Sequence, residues 1–199
     1  MENKIIEIAK NVFIEKGYAE TSMSEIAAKV GINRPGLHYY FRTKDKMFEA
    51  VFGDIIMSII PKVFDILIQK DKKIGKRVEE IIDTYYKLFL ENPKLPMFVI
   101  REINRDANLL INTAEKLHLP ERFFGALHSI EEEMKEGKLK QVPIRFIFYN
   151  LYSLLSIPFL SQDLTYSLLL DENESFEDML NDWKPYIVSQ MENLLEIRQ

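Results

Sequence analysis

Apolar residues along this chain recur at intervals of three and four, and that spacing constrains its fold more than any other feature. Strand-like alternation is scarce, and only seven glycines and eight prolines interrupt the pattern. Ile5, Ile8, Ala9, Val12 and Phe13 form one face of a first helix, which Gly17 ends. Ser22-Met23-Ser24-Glu25 spells a capping box, in which Ser22 and Glu25 reciprocally satisfy orphan amides at the start of a second helix. Ile26, Ala27 and Val30 give that helix its buried face, and Gly31 closes it. Asn33 is a good N-cap for a third helix, with Pro35 in the first turn, where a missing amide proton costs little. Leu37 and Phe41, four apart, point back into a small core and leave Arg34, His38 and Tyr39 outward.

A fourth helix runs from about Lys44 through Phe48, Val51, Phe52, Ile55 and Ile59 to Pro61 or a little beyond. The same spacing predicts helices over roughly 74–91, 95–116, 121–136, 143–160 and 175–197, giving an all-α chain of about nine helices. Pro93, Pro96, Pro120, Pro143 and Pro158 fall at or near the breaks. Pro185 sits inside the last helix and is expected to kink it or delay its start, while 161–174 reads as an ordered loop.

The third helix and its flanks do not have the composition of a core helix. Between Gly31 and Lys46 an arginine, a histidine and two tyrosines crowd about two turns, with cations at the far end. Two short helices joined through a glycine satisfy the helix-turn-helix pattern, whose second helix enters the major groove. Arg34 can grip guanine O6 and N7 as a bidentate pair, and His38 can donate or accept one bond. Pro35 and Gly36 keep the leading edge slim. Thr21, Ser22 and Ser24 offer hydroxyls and free amides to phosphate, and Tyr39, Tyr40 and Lys44 are placed to clamp the backbone on the other side.

These residues carry a family resemblance. Val12-Phe13, Gly17-Tyr18, Thr21-Ser22-Met23, Glu25-Ile26-Ala27, Gly31-Ile32-Asn33, Leu37, Tyr40-Phe41, Lys44 and Met47-Phe48 follow in order without a gap. Residues 5–52 thereby resemble the DNA-binding domain of TetR-type (tetracycline-repressor-like) transcriptional regulators. The resemblance implies an N-terminal three-helix helix-turn-helix domain over 1–46. It also implies a larger helical domain over 47–199 that binds a small-molecule inducer and dimerises. A pseudo-palindromic double-stranded DNA operator, a homodimer and an unknown inducer are the implied partners, with repression as the commoner mode. One position departs from the family: the residue after Leu37, usually a tyrosine on the DNA backbone, is His38. Phosphate contact there falls either to His38, strengthening at low pH, or to Tyr39.

For the inducer pocket the sequence offers Tyr86, Phe89, Phe98, Arg101, Phe124, Phe148 and Tyr152, a mixture of aromatic and polar side chains suited to an apolar cavity with a few handles. The competing reading is that most of them simply fill the core. Two late helices are apolar over a wide arc and need two partners, one of which a second subunit would supply. Phe148, Leu151, Leu155, Trp183, Ile187, Met191 and Leu194 are therefore the expected dimer interface.

Composition narrows the alternatives. The formal charge is −5, yet residues 1–46 carry a net +2, which suits contact with a polyanion through one end only. Cysteine is absent, which excludes disulfides and thiolate metal sites and fits the cytoplasm. Charges at Glu2, Lys4, Glu7 and Lys10 break any signal-peptide pattern. The apolar run from Ile144 to Leu160 holds Arg145, Asn150 and Pro158, and is too short to span a bilayer easily, so no membrane association is expected. An enzyme is the first rival class: Glu115 and His118 spell the Glu-x-x-His of di-iron bundles, but only one copy exists. Phosphate-binding glycine loops are missing, and no metal or other cofactor is expected. The second rival is a helical adaptor that binds proteins without specific DNA binding.

Overall fold

A computed structural model describes residues 1–197. It holds eleven α-helices and one π-helical turn: α1 (Glu2–Glu20), α2 (Met23–Val30), α3 (Arg34–Tyr40), α4 (Lys44–Leu67), α5 (Ile74–Glu91) and α6 (Leu95–Arg105), then α7 (Ala107–Lys116), α8 (Leu119–Lys135), α9 (Ile144–Leu160), α10 (Gln162–Leu164), the π turn Thr165–Leu169 and α11 (Phe176–Leu195). The expected helix over 95–116 is two helices. Asp106 leaves helical geometry (φ −158, ψ 84) and accepts the Leu109 amide as N-cap of α7. The expected loop 161–174 contains α10 and the π turn. These two differences account for eleven helices in place of nine. Pro120 lies in the first turn of α8, next to the break, and Pro61, Pro158 and Pro185 lie within α4, α9 and α11.

The described chain forms two compact units. The first is Met1–Ile60 with Lys94–Pro120, and the second is Pro61–Pro93 with Glu121–Gln199. In this division α6 and α7 belong with the first three helices and with α4 as far as Ile60.

In the first unit the helical stripes meet as the spacing requires. Ile5, Ala9, Val12 and Phe13 of α1, Ile26 of α2, Leu37 of α3, and Met47, Phe48 and Val51 of α4 are buried together with Phe98 of α6. Phe48 is the hub, edge-on to Phe13 at 5.2 Å between centroids and 6.0 Å from Phe98. In the second unit α5 packs on α9 and α11. Phe89, Phe159 and Phe176 follow one another edge-to-face at 5.2 and 5.4 Å. Arg77 of α5 and Glu133 of α8 form a buried bidentate ion pair at 2.8 and 2.7 Å, and Arg77 also donates to the Leu67 carbonyl. Among the described residues no single helix is long and apolar enough to cross a membrane.

Candidate DNA interface

The helix-turn-helix is built from local capping. Ser22 Oγ accepts the Glu25 amide at 3.1 Å and starts α2. The reciprocal half of the expected capping box is not made, because the Glu25 carboxylate instead takes Lys16 Nζ at 2.6 Å. Gly31 ends α2 in left-handed geometry (φ 84, ψ 29), its amide bonded to the Ala27 and Ala28 carbonyls. Asn33 Oδ1 accepts the Gly36 amide at 2.8 Å and starts α3. A Cβ on Gly36 would lie 2.9 Å from that same Oδ1, so the glycine serves the cap as well as a slim leading edge. Leu37, fully buried, anchors α3 to the core, while Arg34, Pro35, Tyr39 and Tyr40 are exposed and His38 is half-buried.

The outward side chains are ordered by one another. Arg34 Nε donates to His38 Nε2 at 3.3 Å, which leaves the proton of a neutral His38 on Nδ1, 3.0 Å from the Arg42 carbonyl. His38 thus spans α3 from first turn to end, and the two terminal nitrogens of Arg34 remain for a base edge. Tyr39, 84% exposed, stands edge-on to Tyr40 at 5.3 Å.

Ser22 and Ser24 are exposed at the start of α2, as a phosphate contact requires. Thr21 departs from expectation. It is 2% exposed and its hydroxyl donates to the Gly17 carbonyl at 2.7 Å, so it closes the α1 turn and offers phosphate nothing. Lys44, the first residue of α4, lies 4.3 Å from the Tyr18 ring centroid and donates to the Ala19 carbonyl at 3.3 Å. Burial lowers its pKa from the usual lysine value, with the nearby Arg105 charge adding to the effect. Sequence reasoning missed Thr43, whose hydroxyl caps α4 by accepting the Lys46 amide at 3.1 Å. A threonine just ahead of a helix start was the available signal. Arg42, exposed beside it, was also missed.

The residues expected to form an inducer pocket are divided between the two units. Phe98 and Arg101 belong to the first unit, where Phe98 fills the core and Arg101 lies on Gly17. Phe124 and Phe148 are exposed, and Tyr152 stacks on Phe148 at 5.7 Å along α9. Tyr86 and Phe89 are buried against Phe159. Tyr86 also lines a groove of about 530 Å³ with Asp83, Leu90, Glu177 and Leu180, and its buried hydroxyl has no hydrogen-bond partner among the described residues.

The expected dimer set also divides. Leu155, Ile187 and Met191 are buried within the second unit and present nothing to a partner. Phe148 is 57% exposed, and Leu151, Trp183 and Leu194 are half-buried, with Trp183 Nε1 donating to the Leu154 carbonyl at 3.1 Å. No residue of α9 from Ile144 to Leu154 is fully buried, although Phe146, Ile147, Phe148, Tyr149, Leu151 and Tyr152 make that stretch strongly apolar.

Comparison with known proteins agrees with this geometry. Residues 5–51 match the family model described as bacterial regulatory proteins, tetR family. The chain is 26% identical over 164 residues to YttP of Bacillus subtilis, a probable HTH-type transcriptional regulator, covering 80% of this chain and 77% of YttP. It is 24% identical over 142 residues to IcaR of Staphylococcus aureus, the negative transcriptional regulator of a biofilm operon, covering 71% and 67% of the two chains. Among solved structures it shares the fold of the transcriptional regulator FadR from Bacillus subtilis in complex with stearoyl-CoA, with a TM-score of 0.67 at 17% identity over 95% of this chain and 98% of that one. The head of this chain over residues 5–51 therefore matches the tetR family, and along nearly its whole length the chain shares the fold of a solved transcriptional regulator.

Proposed function

We propose that this regulator is a cytoplasmic repressor that binds a pseudo-palindromic operator as a homodimer and is released by a small-molecule inducer. The observation that carries the DNA reading is the outer face of α3, where Arg34 keeps two donors free while His38 holds its Nε and the Arg42 carbonyl fixes His38. A planar fork held from behind suits bidentate recognition of guanine. Ser22, Ser24, Tyr39, Tyr40 and Lys44 then serve the phosphates on either side, and Pro35 and Gly36 allow close approach. The homodimer reading draws on the uncovered aromatic stretch of α9, since apolar area removed from water contributes about 25 cal/mol per Å². Phe148, Leu151, Trp183 and Leu194 are the side chains we assign to it. Two-fold symmetry would set two copies of α3 in successive major grooves.

Repression follows the likeness to IcaR, a negative regulator, and ligand binding follows the likeness to FadR, which was solved in complex with stearoyl-CoA; release by a ligand is our own reading. Tyr86 and Phe89 are the inducer contacts we retain, because the Tyr86 hydroxyl lies buried and unpartnered beside a groove. An inducer shifts the protein only as far as its affinities for the operator-bound and released states differ.

Binding to DNA flanking the protein's own coding region, followed by anisotropy with sizing in parallel, tests the reading. A preferred duplex is expected, bound by a dimer, with affinity falling as salt rises. Inducer is expected to weaken that complex while the dimer persists. Absence of specific binding at low salt would replace the regulator by a helical adaptor, and dissociation into monomers on adding inducer would overturn the release mechanism.

A further inference from the structure

Gly17 breaks α1 with φ 80 and ψ 175, and two side chains of α6 answer the break. Tyr18 N–H, deprived of its helical partner, donates to Glu102 Oε1 at 3.0 Å. Arg101 lies directly on Gly17, where a Cβ would come within 2.5 Å of the guanidinium carbon, and it donates to the Phe13 carbonyl at 3.5 Å. Glu102 is only 1% exposed. A buried carboxylate persists only when its charge and lone pairs are answered. Here they are answered by the Tyr18 amide, by Arg105 Nε at 2.5 Å and by Arg101 Nε at 3.5 Å.

The chain of contacts does not stop in the core. The Arg105 guanidinium stands 3.9 Å from the centroid of the Tyr18 ring. Lys44 stands 4.3 Å from the same centroid, and the Tyr18 hydroxyl donates to Asp45. Lys44 and Asp45 are the first turn of α4, immediately after α3 and its exposed Arg42 and Thr43. We propose that Glu102 is a positioning residue for DNA binding, which fixes the Gly17–Tyr18 break and, through Arg105 and the Tyr18 ring, places the Lys44 ammonium for a phosphate. The inference rests on the DNA-binding reading above.

Three substitutions separate this role from simple support of the core. Glu102→Gln keeps an oxygen for the Tyr18 amide and gives up the charge that holds Arg105. Arg105→Gln removes the other half of that pair, and Lys44→Ala removes the terminal group. Affinity is measured by anisotropy on the duplex that wild-type protein selects from a random library, with melting temperature and sizing alongside. Glu102→Gln and Arg105→Gln are each expected to weaken binding about tenfold, the equivalent of one charge-assisted contact. In a Lys44→Ala background, Glu102→Gln is expected to add less than twofold, because the group it positions is gone. Should Glu102→Gln fail to fold, Arg105→Gln, alone and with Lys44→Ala, carries the same comparison.

Full-strength binding by either variant would overturn the proposal. So would losses that multiply with that of Lys44→Ala, the signature of general destabilisation. A wild-type protein that selects no duplex would instead remove the DNA-binding reading itself.

Discussion

Gly17→Ala is the substitution whose cost the structure states most fully. Gly17 has φ 80 and ψ 175, a region closed to residues with a Cβ, and holding alanine there costs about 1–3 kcal/mol. The new Cβ would also lie 2.5 Å from Arg101 Cζ and 2.7 Å from its Nε and Nη2. Arg101 is 41% exposed and flexible, so it would swing away and give up long contacts of 3.5 Å to Phe13 and Glu102. That second contribution is about 1 kcal/mol or less. The expected total is about 1–4 kcal/mol, which for a chain of this size lowers the melting temperature by roughly 2–15 °C. Thermal unfolding at one fixed protein concentration measures it, since self-association would make the melting depend on concentration. In an Arg101→Ala background the steric share disappears and most of the cost persists. A loss below about 1 kcal/mol, or one that vanishes with Arg101→Ala, would refute backbone strain as the reason for glycine at this position.

Other expectations follow from buried polar groups. Glu133→Ala strands Arg77 in the core and should cost about 3–5 kcal/mol by denaturant titration, while replacing both partners by Leu and Met should cost clearly less. Tyr86→Phe removes a hydroxyl that has no partner among the described residues, so the melting temperature should hold or rise. A destabilised Tyr86→Phe would mean that the hydroxyl is bonded in solution.

Local features of the head were legible because each is settled within a few residues. Ser22, Gly31 and Asn33 act on amides or carbonyls three or four positions away, and all three work as the sequence implies. What depended on distant chain was hidden. Glu25 is three residues from Ser22, but Lys16 on the preceding helix claims its carboxylate. Glu102 meets Tyr18 across 84 residues, and nothing in the spacing of 95–116 shows that this stretch packs with the head. Phe98 and Arg101, offered as pocket candidates, lie in that stretch, where Phe98 fills the core of the first unit and Arg101 covers Gly17.

Helical periodicity failed in a different way at Leu155, Ile187 and Met191. It identifies an apolar face but not whether the covering partner is the same chain or another. These three are covered from within, whereas Phe148 on the same helix as Leu155 is not. Thr21 illustrates the same limit at a single hydroxyl, since a threonine at a helix start can face phosphate or, as here, the preceding turn.

The most direct test of the central claim is the binding of Arg34→Ala, compared with wild type, on the selected duplex, on variants of it changed one base at a time, and on unrelated DNA. If α3 reads the major groove through Arg34, the selected duplex loses about 1–3 kcal/mol, preference is relaxed at one base pair, and affinity for unrelated DNA is nearly unchanged. A uniform loss on all sequences would make Arg34 a phosphate contact only, and an unchanged base preference would contradict groove reading by this helix.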